Sequence, residues 1–108
     1  MEDFNMQLMT KEIEEKLEET GLYPDIENLM KAEIIVKYFN PTGVGTWLIV
    51  GGERVEEDWE LFGYVELGYE WEWGPVMLSE LSNYKGPLGL GIERDLYCIG
   101  KCVEDMVV

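Results

Sequence analysis

Residues 34–67 read IIVKYFNPTGVGTWLIVGGERVEEDWELFGYVEL, and their reading decides the fold. Ile34 to Phe39 is dense in β-branched and aromatic side chains, which predicts a strand. Asn40-Pro41-Thr42-Gly43 and Gly45 supply a turn, and Thr46 to Val50 predicts a second strand. Gly51-Gly52 accepts positive φ, so the chain is expected to reverse there. A third strand follows, weak across Glu56 to Asp58 and strong from Trp59 to Leu67, until Gly68 breaks it. Strands joined by reversals this tight pair antiparallel.

Working outward from this stretch, the segment before it predicts a helix over about residues 11–20. Thr10 is a good N-cap, and Glu12 lies near the positive end of the helix. Met9, Ile13 and Leu17 recur at spacings of four and make one apolar stripe. Glu12 and Lys16 form an i,i+4 pair of the favourable order. Gly21 is expected to end the helix in a Schellman turn, with Leu22 packing back on Leu17. Residues 1–9 read as a frayed lead-in. Tyr23 to Lys31 is a connector that holds at most a turn of helix between Asp25 and Met30.

On the C-terminal side, Glu70 to Leu78 predicts a fourth strand interrupted at Gly74-Pro75. Ser79 to Tyr84 predicts a short helix capped by Ser79, and Ile92 to Ile99 predicts the last strand. The fold class is therefore α+β. An N-terminal helix packs on a mainly antiparallel sheet of about four to five strands, and residues 1–108 form one acidic domain.

Charge dominates the composition. The chain carries 23 Asp and Glu against 8 Lys and Arg, a net charge of −15, and no histidine. Its 46% apolar content is ordinary for a globular protein and too high for disorder driven by charge. Such a field repels nucleic acid and anionic membranes and attracts basic surfaces. No stretch approaches the roughly 18 apolar residues of a membrane span. The acidic start lacks the basic and apolar regions of a secretory signal, so a cytoplasmic location is expected.

Several residue groups invite a chemical reading. Cys98 and Cys102 offer two thiols and no imidazole, too few for a structural zinc site. Cys98 reads as a small buried hydrophobe, and no metal or cofactor is expected. Glu93-Arg94-Asp95 could hold a small ligand or do acid–base work. A strand, however, places Glu93 and Asp95 on one face and Arg94 on the other. The simpler reading is that Arg94 pairs with an acid of a neighbouring strand and fixes register. Glu70 and Glu72 alternate with Trp71 and Trp73, as in a glycosidase acid pair beside aromatics. The strand period explains this with tryptophans inward and glutamates outward. Gly86-Pro87-Leu88-Gly89-Leu90-Gly91 lacks the Lys-Ser or Lys-Thr of a phosphate loop and reads as a turn. Without histidine the commonest general base is absent, and an enzyme is not the leading reading.

Several segments together carry a family resemblance. These are Leu61-Phe62-Gly63-Tyr64-Val65, Glu72-Trp73-Gly74, Leu78-Ser79-Glu80-Leu81 and Gly86-Pro87-Leu88-Gly89-Leu90-Gly91-Ile92-Glu93-Arg94-Asp95-Leu96-Tyr97. Lys11-Glu12-Ile13, Val36-Lys37-Tyr38-Phe39-Asn40-Pro41 and Thr46-Trp47 agree with them. Over about residues 8–98 the chain resembles a bacterial domain-of-unknown-function family. Val76-Met77 and Cys98 depart from its pattern, each standing where an aromatic is usual. The resemblance implies a small protein of phages, plasmids and integrated elements, in some cases near antirestriction genes. It implies no agreed activity and no catalytic residues.

The acids then admit two explanations: a solvated face, or mimicry of a nucleic-acid backbone. Acids on alternate strand residues stand roughly 6.6 Å apart, and acids three or four apart on a helix roughly 5–6 Å. Either row resembles a line of phosphates to a basic protein. The first candidate surface is Glu53, Glu56, Glu57, Asp58, Glu60, Glu66, Glu70 and Glu72, interleaved with aromatics. The second is Glu12, Glu15 and Glu19 on the helix. The expected partner is a basic, nucleic-acid-binding host protein, engaged by an anti-CRISPR or antirestriction type of inhibitor that does not itself bind nucleic acid. The alternatives are an acidic accessory interaction module and a small-ligand binder at Glu93-Arg94-Asp95.

Overall fold

The computed structural model describes residues 8–95, 98 and 100–107. Residues 1–7 of the expected lead-in over 1–9, and Leu96, Tyr97 and Ile99 of the expected last strand, lie outside the described residues. The fold is α+β. Helix α1 (Lys11–Thr20) is followed by a 3-10 turn (Leu29–Lys31) and then by β1 (Val36–Phe39), β2 (Thr46–Val55), β3 (Asp58–Glu66) and β4 (Trp71–Met77). Helix α2 (Leu78–Asn83), β5 (Glu93–Asp95) and helix α3 (Val103–Met106) complete it. The strands make one sheet in the order β4-β3-β2-β1-β5, with every neighbouring pair antiparallel.

Helix α1 starts as its sequence requires. The Thr10 hydroxyl accepts the Ile13 N–H at 3.1 Å, and Ile13 and Leu17 are buried on the sheet. Its end differs from expectation. Gly21 has a positive φ of 82° and donates to the Leu17 carbonyl, but its ψ of −174° sends the chain out extended instead of into a Schellman turn. Leu8 is buried and Met9 packs on the same core, so these two residues are not a frayed lead-in. The buried Tyr38 hydroxyl donates to the Leu8 carbonyl and fastens that segment to β1.

Gly51-Gly52 is not a reversal. Strand β2 runs through both glycines to Val55, with a bulge between Ile49 and Gly51. They are glycines because the chain leaving α1 crosses here. A Cβ on Gly51 would lie 2.3 Å from the Leu22 carbonyl oxygen, and the Gly52 N–H donates to the Gly21 carbonyl at 2.8 Å. The reversal falls at Glu56-Glu57, where Glu56 takes a φ of 58°. Strand β4 also runs unbroken through Gly74-Pro75, which an edge strand tolerates because its outer N–H groups are not needed for pairing.

Both faces of the sheet carry a core. On one, α1 and α2 bury Ile13, Leu17, Val36, Tyr38, Ile49, Leu61, Leu78 and Leu81. On the other, Ala32, Ile34, Leu48, Val50, Cys98 and Val103 pack under the C-terminal segment. That segment is tied down by Ile34 N–H to the Lys101 carbonyl (2.8 Å) and Val103 N–H to the Ala32 carbonyl (3.1 Å). The uninterrupted run Leu48-Ile49-Val50 serves the two cores alternately, as a strand covered on both sides must. No described helix is long and apolar enough to cross a membrane.

Candidate partner-binding surface

The eight acids of the first candidate surface do not form one patch. Glu53, Glu56, Glu57 and Glu60 gather at the β2–β3 turn, while Glu66, Glu70 and Glu72 lie at the far end of β3, in the turn after it and on β4. Six strand steps separate Glu60 from Glu66, a span of about 20 Å. Within the first group, Glu53 and Glu60 are direct cross-strand partners. Like charges so placed destabilise a sheet. Arg54, between them in sequence, pairs instead with Glu14 of α1 at 3.1 Å and lies over the Trp59 ring at 5.5 Å.

Asp58, half-buried, is already engaged within the fold. Its carboxylate accepts the Ser79 N–H at 3.1 Å, the Ser79 hydroxyl, and the Trp59 N–H at 2.7 Å. It caps α2 from β3, in place of Ser79, which the sequence predicts as the cap. The helix begins at Leu78, and the Glu80 carboxylate accepts the Met77 N–H at 3.0 Å. Burial works against the charged form of Asp58. The hydrogen bonds from the Ser79 side chain, the Trp59 backbone and the Ser79 backbone outweigh it and hold the carboxyl below its ordinary value.

Glu66 is half-buried and accepts the Gly68 N–H at 3.0 Å, while Glu70 and Glu72 are exposed. Glu72 and Gly74 stand on the helix-bearing face with Trp47, Val65 and Val76 of the neighbouring strands. Together with the 67–70 turn and Glu80 they line a groove of about 410 Å³. On the opposite face Trp71 and Trp73 are half-buried, with Trp73 stacked on Phe62 (5.6 Å) and tilted against Tyr64 (4.6 Å). Tyr64 stacks on Trp71, and Tyr23 meets Phe62 edge-on, so five rings make one strip across β3 and β4. The alternation of Trp and Glu along β4 is as the sequence predicts. The strip itself went unread in the sequence.

The second candidate surface and the Glu93-Arg94-Asp95 cluster meet in one place. Glu12, Glu15 and Glu19 of α1, together with Lys16, Arg94 and Asp95, line a groove of about 400 Å³ between the helix and the sheet edge. Lys16 pairs with Glu33 at 3.4 Å, not with Glu12. Register at β5 is fixed by Lys37 and Asp95, which are cross-strand partners with an ion pair of 3.4 Å. Arg94 is opposite Tyr38 and on the other face from Asp95. A register-fixing ion pair thus forms at Asp95, next to Arg94 in the strand. Burial raises the Tyr38 phenol strongly, and the charge of Arg94 offsets only part of that.

A family model matches residues 8–103. The chain belongs to DUF2958, a family described as proteins of unknown function. No curated protein and no solved structure matches it. In this DUF2958 chain the glycine-rich run is a turn, as expected. The Gly86 N–H donates to the Leu90 carbonyl at 2.7 Å, and Leu88, at φ 63°, is 93% exposed. Cys98 is buried, and burial, together with the negative charge of Asp95, pushes its thiol up, away from the reactive thiolate. No cluster of metal-ligating side chains occurs among the described residues.

Proposed function

We propose that this protein is a non-enzymatic binder of a basic protein surface. In this reading it is an anti-defence inhibitor of the anti-CRISPR or antirestriction type that occupies the nucleic-acid-binding surface of a host protein. The observation that carries the reading is the separation of charge from structure. Among the described residues no charged side chain is buried, and at least four of the chain's eight cations sit in ion pairs with acids. Exposed carboxylates stand at the β2–β3 turn (Glu53, Glu56 and Glu57), at the start of β4 (Glu70 and Glu72) and on α1. Glu12, Glu15 and Glu19, all exposed, recur at helical spacing and make the most continuous acidic row.

The mobile-element setting implied by the family resemblance supports an anti-defence role in the bacterial cytoplasm. Restriction and CRISPR proteins hold nucleic acid in basic channels, which such a row of carboxylates complements. An enzymatic reading finds less support. Asp95 is engaged with Lys37, Arg94 lies on the opposite face, and the sequence has no histidine. The same engagement disfavours a small-ligand site at Glu93-Arg94-Asp95.

The test uses immobilised protein and bacterial lysate. A basic protein should be retained at about 100 mM salt, released at high salt and displaced by duplex DNA or single-stranded RNA. The immobilised protein should retain neither nucleic acid by itself. Direct nucleic-acid binding, or a retained protein that holds nucleic acid and inhibitor together, would refute occupation of the channel.

A further inference from the structure

We infer that the groove on the helix-bearing face of β2, β3 and β4 receives an arginine-bearing segment of the partner protein. The inference deepens the proposed function and rests on it. The floor of the groove is apolar: Trp47, Val65 and Val76 share one face across three strands, with Gly74 among them. Among the described residues its charged lining is made of carboxylates, Glu70, Glu72 and Glu80, and the Glu80 carboxylate is engaged with the Met77 N–H. The groove beside α1 differs, because Lys16 and Arg94 are part of its wall.

Two features leave the β3–β4 groove open and its rim apolar. A Cβ on Gly74 would meet nothing within 4 Å, so neither packing nor backbone crowding requires glycine there. Its effect is to leave the floor open. The turn that closes the rim carries Leu67, 54% exposed, and Tyr69, 95% exposed, where polar residues would suffice.

Apolar floor and carboxylate rim together select the occupant. An arginine lays its aliphatic stem on an apolar surface and turns its guanidinium towards a carboxylate in a paired, planar contact. The guanidinium also stacks on aromatic rings, and Tyr69 lines the groove while Trp47 lies on its floor. A lysine ammonium is a compact, strongly hydrated point charge and gains less from the same walls.

The probe is the labelled peptide acetyl-Gly-Arg-Leu-Arg-Gly-amide, compared with the same peptide carrying Lys for Arg. Binding is read by fluorescence anisotropy, and the site by amide shifts in the NMR spectrum. The arginine peptide should bind at least about fivefold more tightly than the lysine peptide, with shifts centred on Trp47, Glu72, Gly74 and Val76. Gly74→Leu fills the floor and should weaken binding at least about tenfold, with an unchanged thermal melt. If that variant does not fold, Glu70→Gln with Glu72→Gln, at two exposed positions, should weaken binding to the same degree. Asp25→Asn with Glu27→Gln, two exposed acids outside both grooves, should stay within about twofold of the parent. The inference is overturned if the arginine peptide does not bind, if the lysine peptide binds equally, if the shifts map to α1, or if the folded variants keep full affinity. Gly74→Leu is also run in the lysate experiment. A partner still retained by it and displaced by nucleic acid defeats the groove and leaves the proposed function standing. Peptide binding with no partner displaced by nucleic acid defeats the proposed function alone.

Discussion

Replacing Glu53 by lysine should stabilise the free protein, because Glu53 is opposite Glu60 in the β2–β3 register. Cross-strand partners have Cβ atoms about 4.5–5.5 Å apart, and two repelling carboxylates splay to about 6 Å. At that distance in water the repulsion is about 0.7 kcal/mol, and reversing one sign turns it into an attraction of similar size. The full swing is therefore about 1.4 kcal/mol at low salt, and screening over a Debye length of about 8 Å halves it at physiological ionic strength. Urea melts of the parent, Glu53→Lys, Glu60→Lys and the double variant at low, physiological and molar salt measure the term as a double-mutant cycle. Each single variant should gain stability, the double variant should lose the gain as like charges meet again, and the coupling should vanish in molar salt. A destabilising Glu53→Lys, or a coupling indifferent to salt, would refute the electrostatic reasoning. If the proposed function holds, the same substitution weakens partner binding, so stability and affinity move in opposite directions.

Trp73→Ala should cost about 2 kcal/mol in urea melts. The ring is half-buried between Phe62 and Tyr64, which brings the loss below the roughly 3–5 kcal/mol of a fully buried tryptophan. A cost below about 1 kcal/mol would mean that the ring strip is not held together in solution. Asp58→Asn should cost about 1 kcal/mol by weakening the cap on α2. Asp58 also sets an acid limb. Its folded pKa lies below the ordinary 3.8, so its contribution is present above that value and lost as the pH falls through the folded one. Thermal melts taken from neutral pH downward should first rise, as protonation of surface acids relieves self-repulsion, and then fall below about pH 4 in the parent more steeply than in Asp58→Asn. Equal acid limbs in the two proteins would remove Asp58 from this role.

Features of the fold that depend on local chemistry were legible. Thr10, Ile13 and Leu17 announce α1 by cap and spacing, and the β-branched and aromatic runs announce the strands. What the sequence hid was long-range. Gly51-Gly52 looks the same whether glycine serves a reversal or makes room for a crossing carbonyl, and only the position of Leu22 decides. Asp58 and Ser79 are 21 residues apart, so nothing local distinguishes a capping carboxylate from a loop acid. The second core had a signal that was available. Leu48-Ile49-Val50 has no polar member, which requires cover on both faces. The ring strip was also accessible in principle. A turn centred on Gly68-Tyr69 sets Tyr64 opposite Trp73, and the pairing follows from that register alone.

The distribution of carboxylates determines which experiments can separate folding from function. A protein of net charge −15 has to keep its acids in water, and no charged side chain is buried among the described residues. Most acid-to-amide changes therefore remove repulsion without opening a core, and a loss of partner binding in such variants reports on the interface. Asp58 is the exception within the first candidate surface, because neutralising it disturbs α2 as well as the field. A set made of Glu53, Glu56, Glu57 and Glu60 leaves that cap intact, whereas one that includes Asp58 confounds the two effects. The split of the remaining acids carries the argument further. With about 20 Å between Glu60 and Glu66, a partner that needs both ends must present basic residues over a comparable span. Neutralising the β2–β3 turn and the β4 acids separately, then together, distinguishes one extended contact from two alternatives. Losses that add describe independent contacts, and losses that coincide describe a single docking event in which either end is indispensable.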